Sequence, residues 1–415
     1  MGTGKSPNEK LNLAIIGTGG RGRANMQSTA GENIVALCDV NEDELAQAAA
    51  QFPNAKTYVD WRECIDQPDL DGVVCSTIDH THAMVNVWAL NRDLHVFGEK
   101  PLANSVYDAR VVRQKYLEKK DRLVTQMCVQ RHTIPNMARV SELIHDGAIG
   151  TPREVHLWCG RLPETSDYLP DQGAPPSNIH WDLWLGPTPY HPYNETYVKP
   201  RERGSRCLTW NIYWDFGSGQ LGDMGSHIMD IAWWALDLGS PVSVTCEGAD
   251  YHSASVPSWV VAEWEHPAND WRPEIKVCWY DGGKMPELPG AINGAGMNFG
   301  AYFKGDEGSL VCDFNNRYLI PKGDLTYYAP RTPDSVIPDS PGHAEEWIEA
   351  CKTGVPTRTD FDYSGTLVEQ NLLALVAYRV GRKLTYDPAT GTCPGCPEAD
   401  QYIRPAYRDG WVLDA

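Results

Sequence analysis

Short apolar runs alternate with amphipathic stretches along the first 150 residues. The runs predict strands at 11–16, 34–38, 72–76, 95–98 and 123–127, and the stretches between them predict helices at 21–29, 42–51, 84–91 and 107–119. Near-continuous apolar strands that alternate with helices are typical of a parallel sheet covered on both faces. Residues 1–150 are therefore predicted to form an α/β domain.

The pattern changes after Gly150. Strands are predicted at 153–158, 243–247, 259–265, 274–280 and 310–313, and helices at 223–237, 343–353 and 364–380. Alternation at period two, clearest at 153–158, is typical of half-buried strands. Residues 151–415 are therefore predicted to form an α+β domain with an open, largely antiparallel sheet. A long segment at 162–211, rich in Pro, Trp and Tyr, is predicted to be a functional or interface loop.

The charge balance narrows the classes of partner. The chain has 36 Lys and Arg against 55 Asp and Glu, a formal net charge of −19. This argues against nucleic acid and against an anionic membrane surface as partners, and favours a neutral or cationic small ligand. No apolar run approaches the ~18 residues of a transmembrane helix. The N-terminal residues lack the apolar centre of a signal peptide, so a cytoplasmic location is expected for the sequence as given, and a periplasmic one if an export signal precedes it.

The cysteines do not predict a metal site. Twelve are scattered along the chain, and Cys393 and Cys396 form the single CxxC pair. A structural zinc site needs four ligands, and no second pair completes this one. The pair His80 and His82 also lacks further ligands. We expect no metal, and a disulfide between Cys393 and Cys396 stays open.

A glycine motif directly follows the first predicted strand. The segment Gly17-Thr18-Gly19-Gly20-Arg21-Gly22 matches G-x-G-x-x-G between a strand and a helix. The first glycine allows a tight turn, the second a close approach to a pyrophosphate, and the third close helix–strand packing. We therefore predict that this segment binds a dinucleotide, the alternative being a glycine-rich turn in an unrelated α/β fold.

Asp39 ends the second predicted strand. An acidic side chain about 20 residues after the motif typically hydrogen-bonds the ribose hydroxyls, and it would repel a 2′-phosphate. This favours NAD over NADP. The alternative is that Asp39 caps the helix that follows.

Two further motifs carry candidate chemistry. Glu99-Lys100-Pro101 follows a strand at the sheet edge where α/β proteins bind ligands, although a surface ion pair between Glu99 and Lys100 would also fit. Asp223 and His227 share a helix face at i and i+4, with Asp230 at i+7. Histidine titrates near neutrality and is the usual general base, so His227 is a candidate to deprotonate a hydroxyl. A solvent-exposed face is the alternative.

These three motifs, in this order, resemble the Gfo/Idh/MocA family of glucose–fructose oxidoreductases and inositol dehydrogenases. The resemblance implies a Rossmann domain followed by a family-type substrate and oligomerisation domain. It implies that Lys100 contacts the reacting hydroxyl and the nicotinamide, and that Asp223 and His227 are catalytic. It also implies a cis bond before Pro101 and a homodimer or homotetramer.

Weaker signals add candidate contacts. Thr77, His82, Glu99 and Gln130 are expected near the cofactor, with ordinary loop polarity as the alternative. Arg131 and Trp181 are expected near the substrate. Because aromatic rings stack on sugars but also fill cores and interfaces, a structural role for Trp181 is the alternative.

The predicted function is NAD(P)-dependent hydride transfer at a secondary hydroxyl of a sugar, glycoside or polyol. Two alternatives remain open at this stage. One is a glycoside-cleaving enzyme that keeps NAD bound and works through transient oxidation. The other is a non-catalytic protein that binds a dinucleotide.

Overall fold

A computed structural model describes residues 9–198, 207–290, 292, 296–321 and 337–414. The first domain is a six-stranded parallel sheet in the order β3-β2-β1-β4-β5-β6. Its strands are β1 (Asn12–Ile16), β2 (Asn33–Cys38), β3 (Lys56–Tyr58), β4 (Gly72–Cys75), β5 (His95–Gly98) and β6 (Thr125–Met127). This is the Rossmann strand order, in which ligands bind at the carboxyl ends of the strands where the order reverses, between β1 and β4.

Helices connect these strands. They are α1 (Gly20–Ser28), α2 (Glu42–Gln51), α3 (Trp61–Ile65), α4 (Asp79–Asn91), α5 (Val106–Leu117) and α6 (Pro135–His145). Helix α4 begins at Asp79, five residues before the predicted start. The polar residues His80 and His82 break the apolar pattern there, but both are buried and lie within hydrogen-bond distance of backbone carbonyls. The elements β3, α3 and α6 were not predicted.

The second sheet has eight strands in the order β13-β12-β11-β7-β10-β9-β8-β14. They are β7 (Pro152–Cys159), β8 (Ser243–Gly248), β9 (Val260–His266), β10 (Ile275–Tyr280), β11 (Phe299–Gly305), β12 (Gly308–Cys312), β13 (Arg317–Pro321) and β14 (Leu384–Thr385). β7 pairs with β10 in parallel, and the other described neighbours pair antiparallel. The predicted fold class is confirmed.

The helices of the second half correct one prediction. They are α7 (Trp181–Leu185), α8 (Glu195–Val198), α9 (Cys207–Trp210), α10 (Gly219–Asp223), α11 (Gly225–Ala235), α12 (His343–Thr353), α13 (Phe361–Val380) and α14 (Asp400–Ile403). The single helix predicted at 223–237 is wrong, because the helical run divides at Met224, between two glycines. Asp223 therefore ends α10, and His227 lies in the first turn of α11.

The last helices return to the first domain. Trp347 and Cys351 of α12 share a buried core with Leu13 and Phe97 of the parallel sheet. The Met127 amide donates to the Thr359 carbonyl at 2.8 Å, which ties β6 to the segment before α13. Residues beyond 340 thus complete one face of the Rossmann sheet. Among the described helices, none is long and apolar enough to span a membrane.

Candidate active site

A cavity of about 650 Å³ opens at the carboxyl ends of the parallel strands and faces the second domain. Its wall includes thirteen of the sixteen residues predicted for the site: Gly17, Gly19, Gly20, Arg21, Asp39, Thr77, His82, Glu99, Lys100, Gln130, Arg131, Asp223 and His227. Thr18, Gly22 and Trp181 lie behind this wall. The structure therefore brings most of the predicted residues to one place.

The glycine turn forms one end of the cavity. Gly17 has a φ of +86°, and a Cβ there would lie 2.4 Å from the Ser76 carbonyl oxygen. A Cβ on Gly22 would lie 1.9 Å from the Gly17 oxygen, so only glycine permits this packing of α1 on the sheet. The turn leads into the start of α1, where free N–H groups and the helix dipole favour a phosphate. This cradle fits the pyrophosphate of a dinucleotide.

Asp39 sits at the base of the turn. Its Oδ2 accepts hydrogen bonds from the Thr18 amide at 2.7 Å and the Gly19 amide at 3.3 Å. The Thr18 hydroxyl also donates to this oxygen at 3.1 Å, and the Thr18 side chain is buried. Burial raises the pKa of Asp39, while the donors from Asn41, Thr18 and Gly19 lower it. The carboxylate is thus held at the cavity wall beside the turn.

Glu99 links the turn to the lysine motif. Its Oε1 accepts from Arg21 Nε and from Asn25 Nδ2, both at 2.9 Å. Its Oε2 accepts from the Lys100 amide at 3.1 Å. Because Glu99 is buried, these bonds fix both the start of α1 and the backbone from which Lys100 projects.

Lys100 and Asp223 form the polar end of the cavity. The Lys100–Pro101 bond is cis, as the family resemblance implies. Lys100 Nζ donates to one oxygen of Asp223, and Arg161 Nη1 donates to the other at 2.7 Å. Burial raises the pKa of Asp223, but these two cations outweigh that effect and lower the pKa to about 2. Asp223 is therefore a carboxylate at every working pH.

Arg161 was missed by the sequence analysis. It follows β7 by two residues, and a cation just after a strand is the one available signal. That signal is weak, because nothing in the sequence places the end of β7 beside the first domain.

His227 lies next to this ion cluster. It is buried, and among the described residues its Nδ1 has no hydrogen-bond partner. Burial, and then the charge of Lys100, hold its pKa well below the usual value, against the opposing effect of Asp223. His227 is therefore neutral at physiological pH and able to accept a proton.

Asp230 does not join the cavity. It is fully buried, and its carboxylate lies 2.9 Å from His132 Nδ1 and accepts from the Tyr363 hydroxyl at 2.6 Å. The expectation that Asp230 shares a stripe with Asp223 and His227 is wrong, because the break at Met224 and the partners on other elements give it a different environment.

Gln130 and Arg131 reach the cavity from a short 3₁₀ turn after β6. The Oε1 of Gln130 is buried without a hydrogen-bond partner among the described residues. The Arg131 guanidinium lies 4.2 Å from the ring centre of Phe314 and 5.6 Å from that of Phe299. The rings contact the face of the guanidinium, so the N–H groups at its edge can donate to other partners.

Thr77 and His82 support the wall. The Thr81 hydroxyl donates to the Thr77 hydroxyl at 2.7 Å. His82 Nδ1 lies 2.7 Å from the Pro101 carbonyl oxygen, and His82 Nε2 lies 3.1 Å from the Thr77 carbonyl oxygen. His82 therefore joins the loop after β4 to the turn that carries Lys100.

The aromatic residues of the long loop form a layered cluster. Trp181 stacks on Trp184 with ring centres 4.5 Å apart and donates through Nε1 to the His191 oxygen. The structure thus places Trp184 in the cavity wall and Trp181 behind it. Trp61, which the sequence analysis did not single out, also lines the cavity, and its buried Nε1 has no partner among the described residues.

Other candidate ligands lie away from this cavity. Ligand atoms of Glu154, His156 and Cys278 lie within 4.8 Å of one another on the second sheet, where Glu154 also pairs with Lys304. Cys393 and Cys396 are buried free thiols, not a disulfide.

Two family descriptions match the chain. Residues 11–127 match the NAD-binding Rossmann fold of an oxidoreductase family, and residues 156–413 match the C-terminal alpha/beta domain of that family. The glycine cradle and the position of Asp39 agree with the first match.

Individual relatives are more distant. Levoglucosan dehydrogenase of Pseudarthrobacter phenanthrenivorans is 25% identical over 54% of this chain and 50% of its own length. Inositol 2-dehydrogenase/D-chiro-inositol 3-dehydrogenase of Lacticaseibacillus casei is 29% identical over 41% of this chain and 50% of its own length. The chain thus spans about half the length of these curated relatives.

The fold match covers more of the molecule. A solved levoglucosan dehydrogenase, in complex with NADH and levoglucosan, aligns over 91% of this chain and 99% of its own with a TM-score of 0.62 and 18% identity. Both domains, in the same order, therefore have the same fold as that enzyme. The chain belongs to the Gfo/Idh/MocA oxidoreductase family.

Proposed function

We propose that this protein is an NAD-dependent oxidoreductase that oxidises or reduces a secondary hydroxyl of a sugar, glycoside or polyol. The observation that carries the proposal is one cavity with a dinucleotide cradle at one end and Lys100, Asp223 and His227 at the other. Levoglucosan and inositol, named for the relatives, are both hydroxyl-bearing rings.

NAD, held by the glycine turn and Asp39, would supply the hydride acceptor. Oxidising an alcohol also requires removal of the hydroxyl proton, and neutral His227 is the group that takes it. Lys100 donates a hydrogen bond to the substrate oxygen as negative charge develops there. Asp223 holds the Lys100 ammonium in place and balances its charge, which makes it part of the same unit.

Asp39 favours NAD over NADP in this proposal. Its carboxylate lies beside the glycine turn, where a 2′-phosphate would meet a negative charge. Gln130, Thr77 and His82 would complete the cofactor wall, and Arg131 would reach the substrate.

The test is turnover of purified protein with NAD⁺ and a panel of sugars, glycosides and inositols, followed at the NADH absorbance band. We expect a substrate-dependent rise that Lys100→Met abolishes. Lys383→Met, at an exposed lysine just before β14, should retain the rise. NADH formation that is equal in both variants would exclude the proposed role of Lys100.

The same mixtures separate the two alternatives. A glycoside-cleaving enzyme with tightly bound NAD would release the aglycone without net NADH. A non-catalytic protein would bind NADH, change no substrate and be insensitive to replacement of His227. Neither alternative is favoured by the relatives, which are named as dehydrogenases.

We also propose a homodimer or homotetramer, on the strength of the family resemblance. Light scattering of the purified chain tests it, and a monomer at micromolar concentration would contradict it.

A further inference from the structure

The polar end of the cavity carries an excess of positive charge. Three cations line it, Lys100, Arg131 and Arg161, and one carboxylate, Asp223, lies between two of them. His227 beside them is buried and carries no charge that would offset the excess. This local balance is opposite to that of the whole chain, whose net charge is −19.

The other carboxyl groups of the cavity do not correct this balance. Glu99 is held by Arg21 and Asn25. Asp39 lies at the glycine turn, where it accepts from Thr18. Asp79 is buried, and that burial raises the pKa of its carboxyl group well above the usual value, which favours the neutral form.

Arg131 is the cation that lacks a counter-ion. Among the residues that the structure describes, no carboxylate forms an ion pair with its guanidinium, which rests on the rings of Phe314 and Phe299. Burial, and then the charge of Arg161, lower the pKa of Arg131, while Asp223 raises it. Both arginines line the same cavity, so two like charges share one wall. Keeping two guanidiniums together at a cavity wall costs free energy unless an anion binds between them.

We propose that the substrate of this enzyme is an anionic sugar, whose carboxylate or phosphate group is bound by Arg131 and Arg161. The planar guanidinium matches such groups through paired N–H donors, and these charge-assisted bonds are the strong class of hydrogen bond. Arg161 keeps one N–H group on Asp223 and has others to offer. The inference rests on the proposed oxidoreductase function and narrows its substrate class.

The position of the two arginines supports a recognition role and not a chemical one. Arg131 comes from the turn after β6 and Arg161 from the end of β7, so they approach from different domains. Lys100 and Arg161 share Asp223. Burial, and then the charges of Lys100 and Arg131, lower the pKa of His227, so all four side chains belong to one end of the cavity. An anionic group held by the arginines would thus orient the ring with a neighbouring hydroxyl toward Lys100 and His227.

The experiment compares anionic sugars with neutral counterparts that have the same type of sugar ring. Binding of glucuronate, its methyl ester, glucose and glucose 6-phosphate to the NADH-loaded protein is measured by calorimetry, with NAD⁺ turnover of each recorded in parallel. We expect one of the two anions to bind about tenfold or more tightly than its neutral counterpart. If glucuronate shows the preference, the arginines bind a carboxylate. If glucose 6-phosphate shows it, they bind a phosphate.

Variants assign the effect to the arginines. Arg131→Met and Arg161→Met should each remove most of the preference for the anion, measured within each variant as the ratio of the Kd values of the neutral ligand and its anionic counterpart. Arg153→Met is the matched control, because this exposed arginine at the start of β7 pairs with Asp306 away from the cavity. Thermal unfolding of each variant verifies that it is folded.

The outcomes separate the two proposals. Equal or tighter binding of the neutral ligands, or no binding of any of the four, overturns the inference of an anionic substrate. An anion preference that survives both arginine variants overturns it as well. The oxidoreductase proposal would still stand if the protein binds NADH and oxidises neutral sugars, and would fall if no sugar of any charge were oxidised.

Discussion

The two ends of the cavity are built in different ways. The dinucleotide end is made by the backbone of six contiguous residues, 17–22, whose glycines permit a close approach. The polar end is made by side chains from three elements, with Lys100 and Asp223 separated by 123 positions and Arg161 and Asp223 by 62. A contiguous backbone motif is visible in a sequence, whereas a cluster of distant side chains exists only after the domains have packed.

The largest expected effect separates chemistry from cofactor binding. His227→Gln removes the proton acceptor and should lower kcat by about 10²–10⁴-fold, the usual worth of general acid–base catalysis. Binding of NADH should stay within about threefold, because the glycine turn lies at the other end of the cavity. Stopped-flow turnover and fluorescence titration with NADH measure the two quantities.

The pH profile gives this prediction a second readout. Because the pKa of His227 is held well below 6.5, activity of the unaltered enzyme should persist below pH 6.5 and fall only at lower pH. An acid limb centred near 6.5 would contradict the lowered pKa of His227, and an acid limb that His227→Gln leaves in place would contradict its assignment as the base.

The second-largest effect is expected from a change at the dinucleotide end of the cavity. Gly22→Ala places a Cβ 1.9 Å from the Gly17 oxygen, so α1 must move away from the sheet. We expect NADH affinity to fall by about tenfold to a hundredfold and stability to fall by about 1–3 kcal/mol, as for overpacking. Gly31→Ala is the matched control, since a Cβ there meets no atom within 4 Å. Equal NADH affinity in the two variants would show that the turn is not the dinucleotide cradle.

The same contrast explains what could be predicted from the sequence. The apolar runs located five of the six Rossmann strands, and the missing one, β3, is three residues long and largely exposed. In the second domain β11 was missed because its sequence, Phe-Gly-Ala-Tyr-Phe-Lys-Gly, contains two glycines, which are uncommon within strands. The buried strands of the parallel sheet were predicted best because their near-continuous apolar runs give the strongest pattern.

Side-chain partners were harder to predict than backbone motifs. Helical periodicity placed Asp230 beside Asp223, but the carboxylate of Asp230 contacts His132 and Tyr363. Periodicity gives the spacing along one helix and contains no information on which neighbouring element packs against it. Arg161 was missed for the same reason.

Asp39 allows a finer test of the dinucleotide end. Asp39→Ser removes the charge that would repel a 2′-phosphate, so the ratio of the Kd values for NADPH and NADH should fall by about tenfold. The control is Asp43→Asn, which removes a carboxylate at the start of α2 that accepts from Asn178. If the ratio were unchanged in Asp39→Ser, the side chain would have a role only in shaping the turn, through its bonds to Thr18 and Gly19.

The smallest expected effect concerns the wall between the two ends, which His80 supports. Its ring nitrogens lie 3.0 Å from the Trp184 oxygen and 3.4 Å from the Phe216 oxygen, and burial lowers its pKa to about 4. The unfolded chain, with a histidine pKa near 6.5, then binds more protons than the folded chain between about pH 4 and 6.5. Stability contributed by neutral His80 is therefore full above that window and is lost as the pH falls through 6.5.

Lowering the pH from 7 to 6 should cost up to about 1 kcal/mol of unfolding free energy through this group. His80→Gln should remove that part of the pH dependence, even though it lowers stability at both pH values. Val277→Ala, a truncation in the buried second sheet, should lower stability and leave the pH dependence as it is. Urea unfolding of the three proteins at both pH values measures these differences. If His80→Gln and Val277→Ala kept the same pH dependence, the proton uptake would belong to other buried groups, and the wall between the two ends would not be sensitive to pH.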